Sequence, residues 1–353
     1  MGCFAIFYSN KLKEYDLGHV LTEDRFQNFI DMFQKFCGVH EGFDVVEPSY
    51  ATDSDLELIH TRDYIKRIEQ CESREPFDTP LSPALVRAAR LLAGAGKSAG
   101  ESVWTGKYEK AYVVGGGVQH ARSDHEKGFG VYSDIGICAQ NLIENFGAEK
   151  IFILDTDAHA GDGIYEIFAA SSQVLYISIH QDPRTLYPGR GFINEMGEKQ
   201  GRGFNLNIPL PPESGIESYI YVLNNIVFPV MEEFSPEITL MIDGSDPLYT
   251  DRITQMGLTI KGIFEIGETI GKMANKVCRG KLVDFVGSGY SQDLNNVSLG
   301  WLASISGTTG SKILPDVFPS IPHQIRRGKG LKQVRELAQK IQQIYSPYWK
   351  CFQ

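Results

Sequence analysis

Short apolar runs recur along the chain, and each ends at a glycine or a polar residue. Six of these runs are predicted as strands, at 4–7, 112–114, 151–154, 174–179, 238–242 and 283–286. They are largely apolar rather than alternating, which is typical of strands buried on both faces of a sheet. Helical spacing between them predicts helices over 24–37, 83–103, 133–146, 162–169, 216–234, 260–277 and 329–345. The pattern predicts one α/β domain, residues 1–353, with a mostly parallel sheet covered by helices on both faces.

Polar side chains that carry chemistry directly follow several of these predicted strands. They lie in the sequences GGGVQH at 115–120, DTDAH at 155–159, DGSD at 243–246 and GSGY at 287–290, and His180 follows a further run. In an open parallel sheet, ligands bind beyond the carboxyl ends of the strands. The order of apolar runs and polar residues therefore predicts a functional site at that edge.

The DTDAH sequence indicates a metal site. Asp155, Asp157 and His159 alternate along the chain, so an extended backbone points them to one side. Two of them with one further carboxylate would leave a coordination position open, as catalytic zinc requires. Asp246 is the candidate for that carboxylate, and Asp243 is the alternative. Under the competing interpretation, the aspartates cap the following helix, His159 packs in the core, and Asp246 belongs to an Asp-Pro turn.

Two other residues suit proton transfer and carbonyl polarisation. His120 follows three glycines, which let the backbone pass close to a ligand, and an imidazole there can act as a general base and acid. The phenol of Tyr290 can donate a hydrogen bond to a developing oxyanion. The alternatives are a buried histidine bonded to a loop carbonyl and an aromatic residue of the core or rim.

Charge and cysteine usage exclude some classes of function. The chain has 34 basic and 44 acidic residues, a formal net charge of −10, which disfavours nucleic-acid binding. Its six cysteines form no CxxC pair, which favours a reducing compartment. No apolar stretch approaches the ~20 residues needed to cross a bilayer, and the N-terminus lacks the features of a secretory signal. These features predict a cytoplasmic protein without a membrane partner, and they predict nothing about its oligomeric state.

Together these residues resemble the zinc-dependent histone deacetylase superfamily, which also contains acetoin-utilisation proteins and acetylpolyamine amidohydrolases. The strongest match is LDTDAHAGDG at 154–163, and the resemblance extends from His19 to about Leu302. Further matches are the glycine-rich loop before His120, the segments 178–180 and 187–189, and the turn before Tyr290. The D-x-D-x-H order differs from the D-x-H-x-D order of the related arginases, which disfavours a two-manganese ureohydrolase.

The resemblance implies a role for each matching residue. The implied metal is a zinc ion, or alternatively ferrous iron, bound by Asp157, His159 and Asp246. His120 would act as general base and acid and would be oriented by Asp162. Tyr290 would polarise the carbonyl. The implied surroundings are a structural potassium ion at Asp155 and Ser178, substrate-binding residues Asp78, Gly128, Phe129 and Tyr187, and an exit channel at Arg25. The implied reaction removes an acetyl or other short acyl group from acyl-lysine in a protein. The alternative substrate is an acetylpolyamine or another small acylated amine.

The chain departs from the family pattern at three positions. Gln119 stands where the family has the first of two adjacent histidines, and an amide can hydrogen-bond Asp155 but cannot carry a proton. We therefore expect activity through His120 with an altered rate or pH profile. The alternative is a catalytically weak protein that binds acyl-lysine. Val20 replaces a proline, which we expect to be tolerated, and Ser288 replaces a glycine, which we expect to narrow the site or shift the neighbouring tyrosine.

Overall fold

The structure is a computed structural model that describes residues 3–18, 21–37, 42–311, 313–314 and 330–353. His19 and Val20 lie outside the described residues, as does the first residue of the helix predicted over 329–345. The expectations for these positions remain predictions.

One eight-stranded sheet forms the centre of the fold. Its strands are β1 (Phe4–Phe7), β2 (Phe43–Val46), β3 (Lys110–Val114), β4 (Ile151–Asp155), β5 (Val174–Gln181), β6 (Asn205–Leu210), β7 (Ile238–Gly244) and β8 (Leu282–Ser288). Their order is β2-β1-β3-β8-β7-β4-β5-β6, and every neighbouring pair is parallel. All residues of β3, β4, β5 and β7 are buried, which explains their nearly continuous apolar sequences.

Helices cover both faces of this sheet. They are α1 (Asp24–Cys37), α2 (Asp53–Leu56), α3 (Arg62–Glu69), α4 (Pro83–Trp104), α5 (Asp134–Phe146), α6 (Asp162–Phe168), α7 (Ile216–Val222), α8 (Phe228–Phe234), α9 (Ile260–Val277), α10 (Leu294–Thr309) and α11 (Leu331–Tyr345), with short 3₁₀ turns at Asn10–Glu14, Lys199–Gly201 and Lys350–Phe352. Alternate residues of β4 belong to two apolar clusters, Ile151 and Ile153 to one and Phe152 and Leu154 to the other. The predicted α/β class with a parallel sheet covered on both faces is confirmed.

The helix predicted over 216–234 contains a π-helical turn, Leu223–Val227, between α7 and α8. Pro229 follows this turn and has no N–H to donate to the carbonyl of Asn225 four residues earlier. The Gln342 side chain of α11 donates to that carbonyl instead, at 3.0 Å. The proline therefore explains the irregular turn, and α11 satisfies the backbone oxygen that the irregularity leaves free.

No helix among the described residues is both long and apolar enough to cross a membrane.

Candidate active site

A pocket of about 280 Å³ opens at the carboxyl ends of the central strands, where the sequence predicted a site. Its walls bring together many predicted site residues: Arg25, Asp78, Gln119, His120, Gly128, Phe129, Asp157, His159, Tyr187 and Tyr290. A larger groove, of about 670 Å³, lies between α7, α9 and α11 and contains none of the predicted site residues. The chemistry predicted from the sequence is therefore concentrated in the smaller pocket.

Asp157, His159 and Asp246 converge at this pocket and each offers one ligand atom, with all three atoms within 4.8 Å of one another. The Nδ1 atom of His159 lies 3.0 Å from Oδ1 of Asp157 and 2.9 Å from Oδ2 of Asp246. All three residues are more than nine-tenths buried. Asp157 and His159 lie in the loop after β4, and Asp246 lies just after the neighbouring strand β7. The predicted three-residue set is thus brought together from two loops.

The charges of these three residues fit a divalent cation. Burial and the nearby charge of Asp157 raise the pKa of Asp246. Burial alone would lower the pKa of His159, but its contacts with both carboxylates raise it. Two buried carboxylates therefore draw positive charge onto the imidazole, and a bound metal would replace that proton with a larger charge. Two carboxylates and one imidazole also match the ligand types and number of catalytic zinc sites.

Asp243, the alternative third ligand, does not join this set. Its carboxylate accepts a hydrogen bond from the Thr156 hydroxyl at 3.1 Å, and burial raises its pKa to about 6. The metal-site candidate among the described residues contains Asp246 and not Asp243.

His120 is held by Asp162 at the start of α6. Its Nδ1 atom lies 2.7 Å from Oδ1 of Asp162, so Nε2 is the nitrogen left for exchange of a proton in the pocket. The other oxygen of Asp162 accepts from Arg122 at 2.7 Å and from Lys127 at 2.5 Å. Although burial alone would raise the pKa of Asp162, His120 and Lys127 hold it well below its usual range. The carboxylate is therefore fixed as an anion that orients the imidazole.

Tyr290 reaches the pocket from the turn after β8. Its ring contacts the rings of His159, at 6.3 Å between centroids, and Phe129, at 5.9 Å. Its backbone N–H donates to Asp251 at 2.7 Å, which fixes the turn. Burial, together with the nearby aspartate charges, raises the pKa of Tyr290. The phenol therefore lies beside the three candidate metal ligands as a hydrogen-bond donor.

Comparison with known proteins gives the family. The histone deacetylase domain matches residues 19–307, which is most of the chain. The chain belongs to the histone deacetylase family. This family membership and the similarity to deacetylases described next identify the protein as a hydrolytic deacetylase that acts on an acylated amine.

Individual relatives agree with this assignment. The chain is 34% identical to a probable deacetylase of Archaeoglobus fulgidus over 98% of both chains. It is 31% identical to the acetoin utilization protein AcuC of Bacillus subtilis, covering 77% of this chain and 73% of that protein. The crystal structure of the HDA15 HD domain matches 100% of this chain and 97% of its own, with a TM-score of 0.85 and 23% identity, which shows the same fold.

The mouth of the deacetylase pocket is formed by two loops joined by hydrogen bonds. Asp78 accepts from the backbone N–H of Gly128 at 2.7 Å, and Thr79 accepts from that of Phe129 at 3.2 Å. Gly128 and Phe129 both have positive φ, +55° and +67°. A Cβ on Gly128 would lie 2.4 Å from the His120 ring, so the absence of a side chain there leaves room for the imidazole.

Tyr187 forms the opposite wall of the pocket. Its ring centroid lies 5.2 Å from that of His120, and 43% of the residue remains exposed at the mouth. The Lys127 ammonium lies 5.6 Å from the same ring, so Lys127 contacts both this wall and the carboxylate behind His120. Tyr187 therefore lines the pocket, and its contact with the substrate remains a prediction.

Arg25, the predicted channel residue, lies deeper in the pocket and is 2% exposed. Its guanidinium donates to the carbonyls of Gly287 and Gly289 at 2.7 and 2.9 Å, and it lies over the Trp301 ring. Burial lowers the pKa of this arginine. The Arg25 Nε atom has no hydrogen-bond partner among the described residues, so a donor remains free beside the pocket.

Gln119 lines the pocket, but its amide makes no hydrogen bond to Asp155 within the described part of the chain. The Tyr176 hydroxyl donates to Oδ2 of Asp155 at 2.6 Å instead. Ser178 lies 3.4 Å from the same oxygen and 2.8 Å from Nδ1 of His180. The hydrogen bond expected from Gln119 is therefore replaced by one from a residue of β5.

Sequence reasoning did not identify several residues that contact the site. Arg122 and Lys127 bond to Asp162, and Tyr176 bonds to Asp155. Ser288 was noted in the sequence as a departure from the family pattern, but its hydrogen bond to Asp246, at 2.8 Å, was not predicted. Glu126 is fully buried and joins the two loops at the mouth. The sequence carried one usable signal, which is the presence of two cations and two carboxylates within seven residues after His120.

Proposed function

We propose that residues 1–353 form one catalytic domain that removes an acetyl or other short acyl group from the side chain of an acylated lysine, with one zinc ion held by Asp157, His159 and Asp246. The observation that carries this proposal is the meeting of three buried ligand atoms with His120 and Tyr290 around one pocket. A divalent cation there would polarise the acyl carbonyl and acidify a water molecule.

The residues around that cation would transfer protons, stabilise the oxyanion and enclose the alkyl chain of the substrate. His120 takes a proton from the attacking water at Nε2 and later donates it to the departing amine, while Asp162 holds Nδ1. Tyr290 donates its hydroxyl proton in a hydrogen bond to the oxygen that gains negative charge. Tyr187, Phe129 and Gly128 enclose the alkyl chain and exclude water from the reacting bond.

The mouth of the pocket favours a protein substrate over a small amine. Phe77 is 99% exposed and precedes Asp78, whose carboxylate anchors the neighbouring loop, and Tyr187 is also exposed. A peptide would extend across these residues, whereas a small acylated amine would fill the pocket without reaching Phe77. Acetylated polyamines and other small acylated amines remain the second candidate class.

Three further assignments belong to the same proposal. We propose a structural potassium ion at Asp155 and Ser178, supported by the 3.4 Å separation of their side-chain oxygens. Ferrous iron is the alternative to zinc, because the same ligand types suit both metals. We also propose a cytoplasmic location, supported by six free thiols.

Metal content and deacetylase activity, measured together on one preparation, test the proposed function. We expect about one equivalent of zinc and release of acetate from acetyl-lysine peptides faster than from acetylated polyamines. Tyr290→Phe should retain the metal and lose about 10²–10³-fold in kcat. Tyr132→Phe is the matched control, because the Tyr132 hydroxyl is buried without a partner among the described residues, away from the pocket.

A protein that binds acyl-lysine without hydrolysing it is the competing function, and Gln119 motivates it. Zinc-loaded protein that binds a hydroxamate but releases no acetate from any acylated amine would support this alternative. The deacetylase activity of a Gln119→His variant also tests the role of Gln119. We expect the wild type to be active through His120, so a histidine variant much less active than the wild type would contradict the role given to Gln119.

A further inference from the structure

Ser288 contacts a metal-ligand candidate from the strand next to it. Its hydroxyl donates to Oδ1 of Asp246 at 2.8 Å, and the backbone N–H of Ala158 is shared between that oxygen, at 3.2 Å, and Oδ2, at 3.3 Å. The other oxygen, Oδ2, faces Nδ1 of His159 at 2.9 Å. The Ser288 hydroxyl is thus the donor that bonds to Oδ1 alone, while Oδ2 faces the imidazole of the ligand set.

The strand pairing explains how Ser288 reaches Asp246. The register of β7 and β8 shifts by one residue between Asp243 and Gly244, so that Gly244 lies opposite Ser288 and Gly287 is left over in β8. The freed carbonyl of Gly287 accepts from Arg25 at 2.7 Å. An irregularity of this kind redirects the side chain that follows it.

The same region leaves space for the Ser288 side chain and fixes its backbone. A Cβ on residue 244 would lie 1.8 Å from the Ser288 hydroxyl oxygen, so this hydroxyl position depends on the absence of a side chain at Gly244. The Ser288 carbonyl accepts from the Trp301 indole at 2.8 Å and from the Ser245 backbone N–H at 3.0 Å. The hydroxyl is therefore held in its direction toward Asp246.

We propose that Ser288 is a positioning residue of the metal centre, which orients Asp246 so that Oδ2 is free to bind the cation. Residues that hydrogen-bond a metal ligand fix its orientation, and their loss costs about 10–100-fold in metal affinity or activity. The inference rests on the metal site of the proposed function. It concerns a position at which the family pattern has glycine, and glycine has no side-chain hydroxyl that could donate to Asp246.

Zinc affinity of the full-length protein tests this role directly. The protein is stripped of metal, and zinc is titrated against a competing fluorescent chelator for the wild type, Ser288→Ala and Ser288→Gly. Both variants should bind zinc about 10–100-fold more weakly than the wild type. Their activity should fall at limiting zinc and recover as zinc is raised.

A matched control separates positioning from general stability. Ser298 is a buried serine of α10 whose hydroxyl bonds to the Asn28 side chain and not to a metal ligand. Ser298→Ala should therefore leave zinc affinity within about twofold, even where it lowers the stability of the metal-free protein. Ser288→Thr, which retains a hydroxyl, should restore a part of the lost affinity.

The outcomes distinguish this inference from the proposed function. Wild type that binds zinc, with Ser288→Ala of equal affinity, would overturn the role of Ser288 and leave the metal centre standing. Wild type that binds no zinc, together with an Asp246→Asn variant that behaves identically, would overturn the metal centre and this inference with it. Weakened zinc binding by Ser288→Ala but not by Ser298→Ala supports the inference.

Discussion

Glu126 supplies the sharpest test of how the mouth of the pocket is built. Its carboxylate is fully buried and accepts from the Arg67 guanidinium at 2.8 and 3.3 Å and from the Ser73 hydroxyl at 3.0 Å. The backbone N–H groups of Arg74 and Glu75 also donate to it. These bonds join the loop that carries Glu126 to the segment 73–79, which carries Asp78.

Glu126→Gln keeps the shape of this side chain and replaces one acceptor oxygen by an NH₂ group. That group would face donors of the protein, and the Arg67 charge would lose its partner. Removing one member of a buried ion pair costs about 3–5 kcal/mol. Arg67 keeps 13% of its side chain exposed and can turn partly to water. We therefore expect a loss of about 3 kcal/mol in the free energy of unfolding at pH 7.

The loss should depend on pH in a definite direction. Burial alone would raise the pKa of Glu126, but its hydrogen bonds with Arg67 and the backbone hold it below the usual value. A lowered pKa in the folded state means that the stabilisation is present above the unfolded pKa of ~4.3 and is lost as the pH falls through the folded pKa. The difference between wild type and Glu126→Gln should therefore be constant from about pH 6 to 8 and shrink below about pH 4.

Chemical denaturation at a series of pH values measures this difference. Glu75→Gln is the matched control, because it makes the same chemical change on the same segment at an exposed position. The Michaelis constant for an acetyl-lysine peptide should also rise in Glu126→Gln, since the segment that holds Asp78 loosens. This account of Glu126 would be refuted if Glu126→Gln lowered the free energy of unfolding by less than about 0.5 kcal/mol at pH 7. It would also be refuted if the loss at pH 3 were as large as the loss at pH 7.

Three further predictions concern the surroundings of His120 and the core. Gly128→Ala should lower kcat/KM by about 10²-fold with an unchanged circular dichroism spectrum, because its Cβ would lie 2.4 Å from the His120 ring. Lys127→Met should lower kcat without changing the zinc content, because the Asp162 carboxylate that orients His120 loses one of its two cation partners; an unchanged kcat would contradict this. Burial, with the charge of Asp243, raises the pKa of Asp284, so its stabilising effect is present below the unfolded pKa and is lost as the pH rises. Asp284→Asn should therefore increase the free energy of unfolding at pH 8, by ~1.4 kcal/mol per unit of raised pKa, and change it little at pH 4, as denaturation at both pH values would measure.

Apolar runs predicted the strands whose buried side chains are apolar. They missed β6, whose buried polar side chains have hydrogen-bond partners. The sequence of β6 contains Asn205 and Asn207, which break the apolar pattern. Both amides donate to the carbonyl of Glu195, so these polar side chains are buried with their donors satisfied. A pattern of apolar positions cannot identify such a strand, because the partner carbonyl lies in a separate loop.

The helix α10 was missed for the opposite reason. Its sequence is apolar or small around its whole circumference, and twelve of its residues are buried, so it lacks the one-sided pattern that indicates a helix. Gly307 lets it approach α9 closely, since a Cβ there would lie 2.4 Å from the carbonyl oxygen of Phe264. A helix that is packed on all sides has no polar face, so its sequence lacks the pattern that predicts an amphipathic helix.

Residues that follow strands could be placed from the sequence, because parallel strands end at one edge. This reasoning placed Asp157, His159 and Asp246 at the site together with the alternatives Asp155 and Asp243, and the family resemblance selected the three that converge. It could not identify Ser288 as a partner of Asp246, because that contact depends on a register shift between two strands. The sequence thus indicates which groups gather at the site, while the strand register decides which of them touch.

The Gln119 side chain lies outside the hydrogen-bond network that holds His120. His120 bonds to Asp162, whose second oxygen is occupied by Arg122 and Lys127. Asp155 belongs to a second network, in which the Tyr176 hydroxyl donates to its Oδ2 atom at 2.6 Å. Because no hydrogen bond between described residues joins Gln119 to either carboxylate, its lack of a transferable proton leaves the support of His120 unchanged. Proton transfer through His120 is therefore compatible with glutamine at this position.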